Sequence, residues 1–422
     1  MLARFFYVLS NYISVQIHSL TGFQLGQRIL MARLESILDN DFYKFTMQYA
    51  VTKLFPRAKA RYQFINRGKH QFPDGFAEKL QEAVRELGKL KLSKEEKSFF
   101  AETCPYIDPT YFDFLQGYQY DPSEVSIEQD GPDLTVKIEG YWYRTILWEV
   151  PIMSLICELY YEMMGLQRVS DDEVAAIVES KMQKYDKLDI TIADFGTRRR
   201  HSFAVHDLVI DTLKKHNSKT FIGTSNVYLA MKHQTKPIGT HAHEWFMFHA
   251  AKFGYKMANL LGLENWADVY RGDLGIALSD TYTTEVFFKQ FDKKLTKLFD
   301  GIRHDSGDAI EFAQKTINHY LSKGIDPNSK TIIFSDGLDY AKVERIVNFC
   351  KGKIGISFGI GTDFTNDVGL KRMNIVLKMT EALPEDGDWT PVIKLSDEAM
   401  KHTGAPKEIE MAKRYLQIDE QA

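Results

Sequence analysis

From Asp189 onward the chain repeats one cadence: a short aliphatic run, a polar turn with glycine, then a helical pattern. This cadence limits the possible folds more than any other feature. The candidate strands are 189–195, 219–224, 236–240, 275–281, 299–305, 330–336, 353–359 and 373–379, about eight, the number that closes a parallel barrel. The connection between the second and third (NVYLAMKHQT) is short, and no helix precedes the last. The expected architecture is therefore an irregular α/β barrel, with a doubly wound open sheet as the alternative.

The earlier part of the chain lacks this alternation. Between residues 31 and 163 it is aromatic-rich, with a helix stopped by Pro56, an alternating strand (ARYQFINR), a charged helical stretch over 76–101, a hairpin turning at Asp130-Gly131-Pro132 and an apolar helix closed by Gly165. After Thr380 come a loop, a strand (PVIKLSD) and a charged helical tail, expected to pack back on the first part. The predicted organisation is a mixed α+β domain over 31–165 completed by 381–422, and the barrel over 166–380. Residues 1–30 are read as an extension outside the fold, because the folding pattern begins at Met31, and not as a signal peptide, because Ser, Asn, Gln and His interrupt its apolar core.

Composition narrows the class of function. The 422 residues carry a net charge of -4, which argues against a bulk electrostatic grip on nucleic acid. Cys104, Cys157 and Cys350 are isolated and odd in number, so a reducing, cytoplasmic setting without a cysteine-built zinc site is expected. No apolar run has the length of a membrane span.

The chemistry falls at the strand ends: DFGTRRR (194–200), GTSN (223–226), GTHAHE (239–244), SDTY (279–282), RHDSGD (303–308), SDGLD (335–339) and FGIGTD (358–363). In parallel α/β folds such positions share one rim, which points to an enzyme. Gly361 and Thr362 suit a phosphate cradle, and Arg198 suits an anion. Asp305 and Asp308, three apart, are candidates for Mg²⁺, and Asp336 adds a carboxylate. HAHE admits two readings: a metal site using His241 and His243 with His249, as in a hydrolase, or a histidine that accepts a phosphoryl group. A non-catalytic nucleotide-binding regulator is a third possibility.

Taken together, LDNDFYKFTM, RYQFINR, DFGTRRRHS, FIGTSNVYLA, PIGTHAHEW, GIRHDSGD, FSDGLD, SFGIGTD and NIVLKM, colinear from about Met31 to Asp397, resemble the nicotinate phosphoribosyltransferase family. The resemblance implies that nicotinate and 5-phosphoribosyl 1-diphosphate give nicotinate mononucleotide and diphosphate, with ATP as co-substrate and Mg²⁺ as cofactor. It implies that His243 becomes a phosphohistidine. Tyr43 and Phe195 would sandwich the pyridine, the tyrosine coming from the other subunit of a head-to-tail homodimer with shared active sites. Arg198 would stand near the carboxylate, Arg303 and Asp305 at the ribose and its phosphate, Asp336 near the reacting sugar, and Gly361 with Thr362 at the 5'-phosphate. Asp41, Ser225 and Gly239 would also line the substrate pocket. The chain departs from the resemblance in residues 1–30 and in His241, a second imidazole beside the expected phosphoacceptor.

Overall fold

Two sheets of opposite character meet in this chain, and their burial patterns explain which strands joined which. A computed structural model describes residues 34–385 and 387–418; the extension read over 1–30 lies outside the described residues. Ser36–Ala422 forms one unit, and both sheets lie within it.

The first sheet is antiparallel, in the order β11-β10-β1-β3-β2. It contains β1 (Lys59–Ile65), the hairpin of β2 (Val125–Asp130) and β3 (Asp133–Tyr141), β10 (Val376–Leu383) and β11 (Thr390–Pro391). Gly131 in the hairpin turn has φ +54°, a left-handed conformation that glycine adopts without penalty. The second sheet is parallel, in the order β5-β4-β9-β8-β7-β6. Its strands are β4 (Ile192–Asp194), β5 (Phe221–Thr224), β6 (Ile276–Leu278), β7 (Gly301–His304), β8 (Thr331–Phe334) and β9 (Gly355–Ile360).

Two of the eight expected barrel strands behave differently. Residues 236–240 make a single parallel bridge, Thr224 with Pro237. Pro237 has no N–H to extend the ladder, and the six-residue helix Val227–Lys232 before it is too short for a regular crossover. The last expected strand, over 373–379, became β10 and pairs antiparallel with β1, from Lys59 opposite Leu383 to Ile65 opposite Val376. Its burial alternates, with Leu377 and Met379 inside and Lys378 and Thr380 half-exposed. That period of two suits a sheet with one wet face, whereas β4 is buried at every residue.

Helices complete the layers. α1 (Phe42–Leu54) is buried from Phe42 to Val51, and its polar side chains are partnered: Gln48 Nε2 donates to Tyr143 O at 2.7 Å and Lys44 pairs with Glu149 at 2.6 Å. α2 (Glu149–Met163) is the apolar helix before Gly165. α3 (Phe203–His216) connects β4 to β5, α4 (His243–Phe253) follows the HAHE turn, and α5 (Ala309–Ser322) and α6 (Tyr340–Cys350) flank β8. Side chains of Ser202, Asp308 and Asp339 cap α3, α5 and α6, each accepting a first-turn N–H. The charged stretch over 76–101 is two helices, Phe76–Leu87 and Lys94–Thr103, parted at Gly88 and restarted by a Ser93–Glu96 capping box.

Two features of the core yield measurable expectations. A Cβ on Gly301 in β7 would stand 2.0 Å from Thr331 O in the neighbouring strand. Gly301→Ala should therefore cost about 1–3 kcal/mol through overpacking; an unchanged denaturation midpoint would show that the strands can separate freely there. His249 and His241 are wholly buried. His249 Nδ1 donates to Trp245 O at 2.7 Å and Nε2 accepts from Asn265 at 2.9 Å, while His241 Nε2 accepts from Leu278 N–H at 3.2 Å. Burial pushes His249 down to about 4 and His241 well below its ordinary value. The unfolded chain binds protons that the folded one refuses, so this contribution is complete above about pH 6.5 and is lost as pH falls toward 4. Denaturant titrations between pH 7 and pH 5 should show declining stability with uptake of roughly one proton per buried histidine on unfolding. Constant stability over that window would contradict this assignment.

Candidate active site

The carboxyl ends of the parallel strands open into a cavity of about 380 Å³, and β1, β10 and the segment after β11 form its opposite wall. Strand direction delivers the polar turns to this rim, as backbone pairing ends where they begin. Asp41, Tyr43, Phe195, Arg198, Ser225, His243, Arg303, Asp305, Gly361 and Thr362 all line it.

His243 opens α4, where backbone N–H groups without helical partners favour negative charge. Its Nδ1 lies 3.0 Å from Thr281 Oγ1. Its Nε2 is 2.9 Å from Asp305 Oδ2 and 2.9 Å from Lys394 Nζ. Burial, then the Lys394 ammonium, brings His243 down to about 4, so the ring is neutral near pH 7. Burial pushes Asp305 upward, but Arg303, His243 and Lys394 hold its carboxyl well below the usual range. Ser335 Oγ donates to Asp305 Oδ1 at 2.9 Å and fixes its other oxygen. Asp280 stands behind them, 3.3 Å from Lys394 and 3.9 Å from His243 Nε2; burial raises its pKa, yet Lys394 and His243 lower it on balance.

The aromatic pair is placed by two close approaches. A Cβ on Gly359 would stand 2.2 Å from the Phe195 ring, so the glycine leaves the space in which that ring lies. Tyr43 sits at the start of α1, fixed by Phe42 N–H donating to Ser225 O at 2.7 Å and by Ser225 Oγ donating to Asp41 Oδ1 at 2.6 Å. Tyr43 thereby lines its own chain's cavity. Arg198 lies 5.9 Å from the Tyr43 ring centroid, 3.5 Å from Glu149 and 3.8 Å from Asp41. Arg200, next but one, is a buried strut: its guanidinium donates to both Asp39 oxygens at 2.7 Å.

Other predicted residues lie elsewhere. Asp308 is exposed, caps α5 through Ile310 and Glu311 N–H groups at 2.9 Å, and pairs with Arg345 at 3.3 Å. Asp336 pairs with Lys401 at 2.7 Å beside the rim, where Ser335 and Gly337 line the cavity. Gly239 borders an adjoining cavity of about 320 Å³ and backs Tyr43, whose N would be 3.2 Å from an added Cβ. His249 spends both ring nitrogens in the core, while His241 spends Nε2 there and keeps Nδ1 buried without a partner; neither belongs to the cluster around His243 that could hold a metal. Among the described residues, His243, Asp280 and Asp305 are the group whose ligand atoms lie close enough, within 4.8 Å of one another, to hold a metal ion. Asp280 Oδ1 is buried without a hydrogen-bond partner, so an oxygen-seeking cation such as Mg²⁺ fits there. Sequence reasoning missed Lys394, Lys378 and Glu149; it noted SDTY but did not select Asp280 or Thr281.

Comparison with known proteins agrees with this geometry. The nicotinate phosphoribosyltransferase (NAPRTase) family profile matches residues 190–420, and the NAPRTase N-terminal domain profile matches residues 38–157. A nicotinate phosphoribosyltransferase of Chromohalobacter salexigens is 61% identical over 389 residues, 92% of this chain and 100% of that protein. One from Desulforapulum autotrophicum is 48% identical over 378 residues, 89% and 97% of the two chains. The crystal structure of nicotinate phosphoribosyltransferase from Porphyromonas gingivalis matches with a TM-score of 0.89 at 44% identity, covering 91% of this chain and 100% of that one. The Vibrio cholerae enzyme's structure gives 0.86 at 31% identity, with 92% and 96% coverage. The mixed parallel and antiparallel architecture is common to these structures. With both halves of the sequence matched and the relatives spanned nearly end to end, the chain belongs to the nicotinate phosphoribosyltransferase (NAPRTase) family.

Proposed function

We infer that this protein is a nicotinate phosphoribosyltransferase, joining the ring nitrogen of nicotinate to C1 of 5-phosphoribosyl 1-diphosphate with release of diphosphate, an entry into NAD synthesis. The observation that carries the reading is the convergence in one cavity of an aromatic pair, an anion-binding wall and the His243–Asp305–Lys394 cluster. Tyr43 and Phe195 would clamp the pyridine while Arg198 faces its carboxylate. Gly361 and Thr362 would present backbone N–H groups to the 5'-phosphate, with Arg372, 3.0 Å from Asp363, adding positive charge. As the C1–diphosphate bond breaks, positive charge develops on the ribose and negative charge on the leaving group. Asp305 would face the first, and Arg303 and Lys394 the second.

ATP coupling through His243 is part of this proposal. A phosphoryl acceptor needs a bare lone pair, and Lys394 beside Nε2 favours the unprotonated ring. Attack by Nε2 on the terminal phosphorus would release ADP, and hydrolysis of the resulting phosphohistidine would free inorganic phosphate. Lys394 is placed to offset the charge of the phosphoryl group in between. Mg²⁺, held by Asp305 and Asp280, would neutralise diphosphate; Asp308 is too committed to helix capping to share that role.

We read the parallel sheet as an irregular barrel. Ala193, Ile222, Ile276, Arg303, Ile333 and Ser357, one from each strand, border the adjoining 320 Å³ cavity, and His241 links the 236–240 segment to β6 through Leu278 N–H. The division into 31–165 with 381–422, and 166–380, belongs to the same reading, as do a homodimer and a cytoplasmic setting. Among the described residues no helix is long and apolar enough to cross a membrane.

The test pairs two assays. Nucleotide formation should require nicotinate and 5-phosphoribosyl 1-diphosphate and be stimulated by ATP. His243→Ala should abolish ³²P transfer from [γ-³²P]ATP and remove that stimulation, leaving ATP-independent transfer at high 5-phosphoribosyl 1-diphosphate. Labelling that survives the substitution would overturn the role given to His243.

A further inference from the structure

In the wall around the pyridine end of the cavity, three acids engage the nearest cations. Asp41, Glu149 and Glu244 line it. Lys44 is buried between Glu149, at 2.6 Å, and Glu244, so its ammonium is fully engaged. Arg198 is divided between Glu149 and Asp41 at 3.5 and 3.8 Å. These three carboxylates thus occupy both cations, so an entering carboxylate needs a further positive group; Arg199 also lines the cavity.

Lys378 supplies the missing charge. It lies on β10 opposite Gln63 of β1 and lines the cavity. Among the described residues no carboxylate comes within 4.0 Å of its ammonium, and no hydrogen bond engages it. Burial pushes its pKa down to about 8, with Glu149 drawing it back up and Arg198 and Lys394 opposing, so it is charged at neutral pH while lacking a contact counter-ion. A half-buried ammonium lining the cavity without a counter-ion favours an anionic ligand over a neutral one of the same shape.

We propose that Lys378, together with Arg198, receives the carboxylate of nicotinate and is the residue that chiefly sets the preference for the pyridine acid over its amide. The inference rests on the reading that the cavity takes nicotinate. An amide offers the ammonium only a neutral oxygen and leaves it without a counter-ion, whereas the carboxylate neutralises it.

The test measures the KM for nicotinate and the inhibition constant of nicotinamide in parallel. Lys378→Met keeps the apolar stem and removes the charge; Lys378→Gln does the same with a polar end, should the Met variant fail to fold. Each should raise the nicotinate KM about tenfold or more, the order for one lost charge-assisted hydrogen bond, with little change in nicotinamide inhibition or in the KM for 5-phosphoribosyl 1-diphosphate. Lys378→Arg should recover most of the loss. If the acid and amide constants move together, or neither moves, Lys378 does not set the preference. If the parent protein forms no nucleotide from nicotinate, the functional reading fails first and separately.

Discussion

Lys394 reaches His243 from the segment that follows the antiparallel sheet, and Asp305 reaches it from the end of β7 in the parallel sheet. The imidazole is the point at which the two halves touch chemically, and the cavity depends on it. Nε2 has one lone pair or one proton to offer, so it can accept from Lys394 or donate to Asp305, but not both at once. Burial and the ammonium favour the bare state. A nucleophile poised between an acid and a cation is suited to gaining and losing a phosphoryl group as the charges around it change.

Holding three such groups together requires buried struts nearby. Asp39 and Arg200 form a bidentate pair with both side chains fully buried, and Asn226 Nδ2 adds a third bond to Asp39 Oδ1 at 2.6 Å. That knot ties the loop that leads into α1 and Tyr43 to the turns after β4 and β5, which carry Phe195 and Ser225. Buried pairs of this kind gain little net stability over apolar packing, and breaking one is costly because it strands the other charge. Their value here is positional: each removes freedom from a loop that must present a side chain within hydrogen-bonding reach.

Much of the rim could be read from the chain because strand direction does the sorting. Phe195, Arg198, Ser225, His243, Arg303, Asp305, Gly361 and Thr362 lie just beyond apolar runs, and parallel pairing brings such positions together whatever their separation in sequence. The opposite wall was harder to foresee. Lys378 is a single lysine in a half-exposed strand, a pattern that usually means a solvated face, and Lys394 is a single buried lysine beyond the last strand whose site partners are distant in sequence. Asp308 erred the other way: a carboxylate at a strand-to-helix turn serves a cation or a helix N-terminus equally well by spacing, and here the N-terminus took it. The expected eighth barrel strand had the right length, but its alternation of Leu377, Lys378 and Met379 belongs to a sheet with one wet face.

The state of the His243 ring tests this account most directly. In protein labelled with ¹⁵N at histidine, with His243→Gln used to assign its signals, the imidazole should be neutral throughout the physiological range and titrate near pH 4, where burial and Lys394 place it. A ring that titrates at or above about pH 6.5, as an unperturbed histidine does, would contradict the arrangement of His243 between Lys394 and Asp305 on which the mechanism rests.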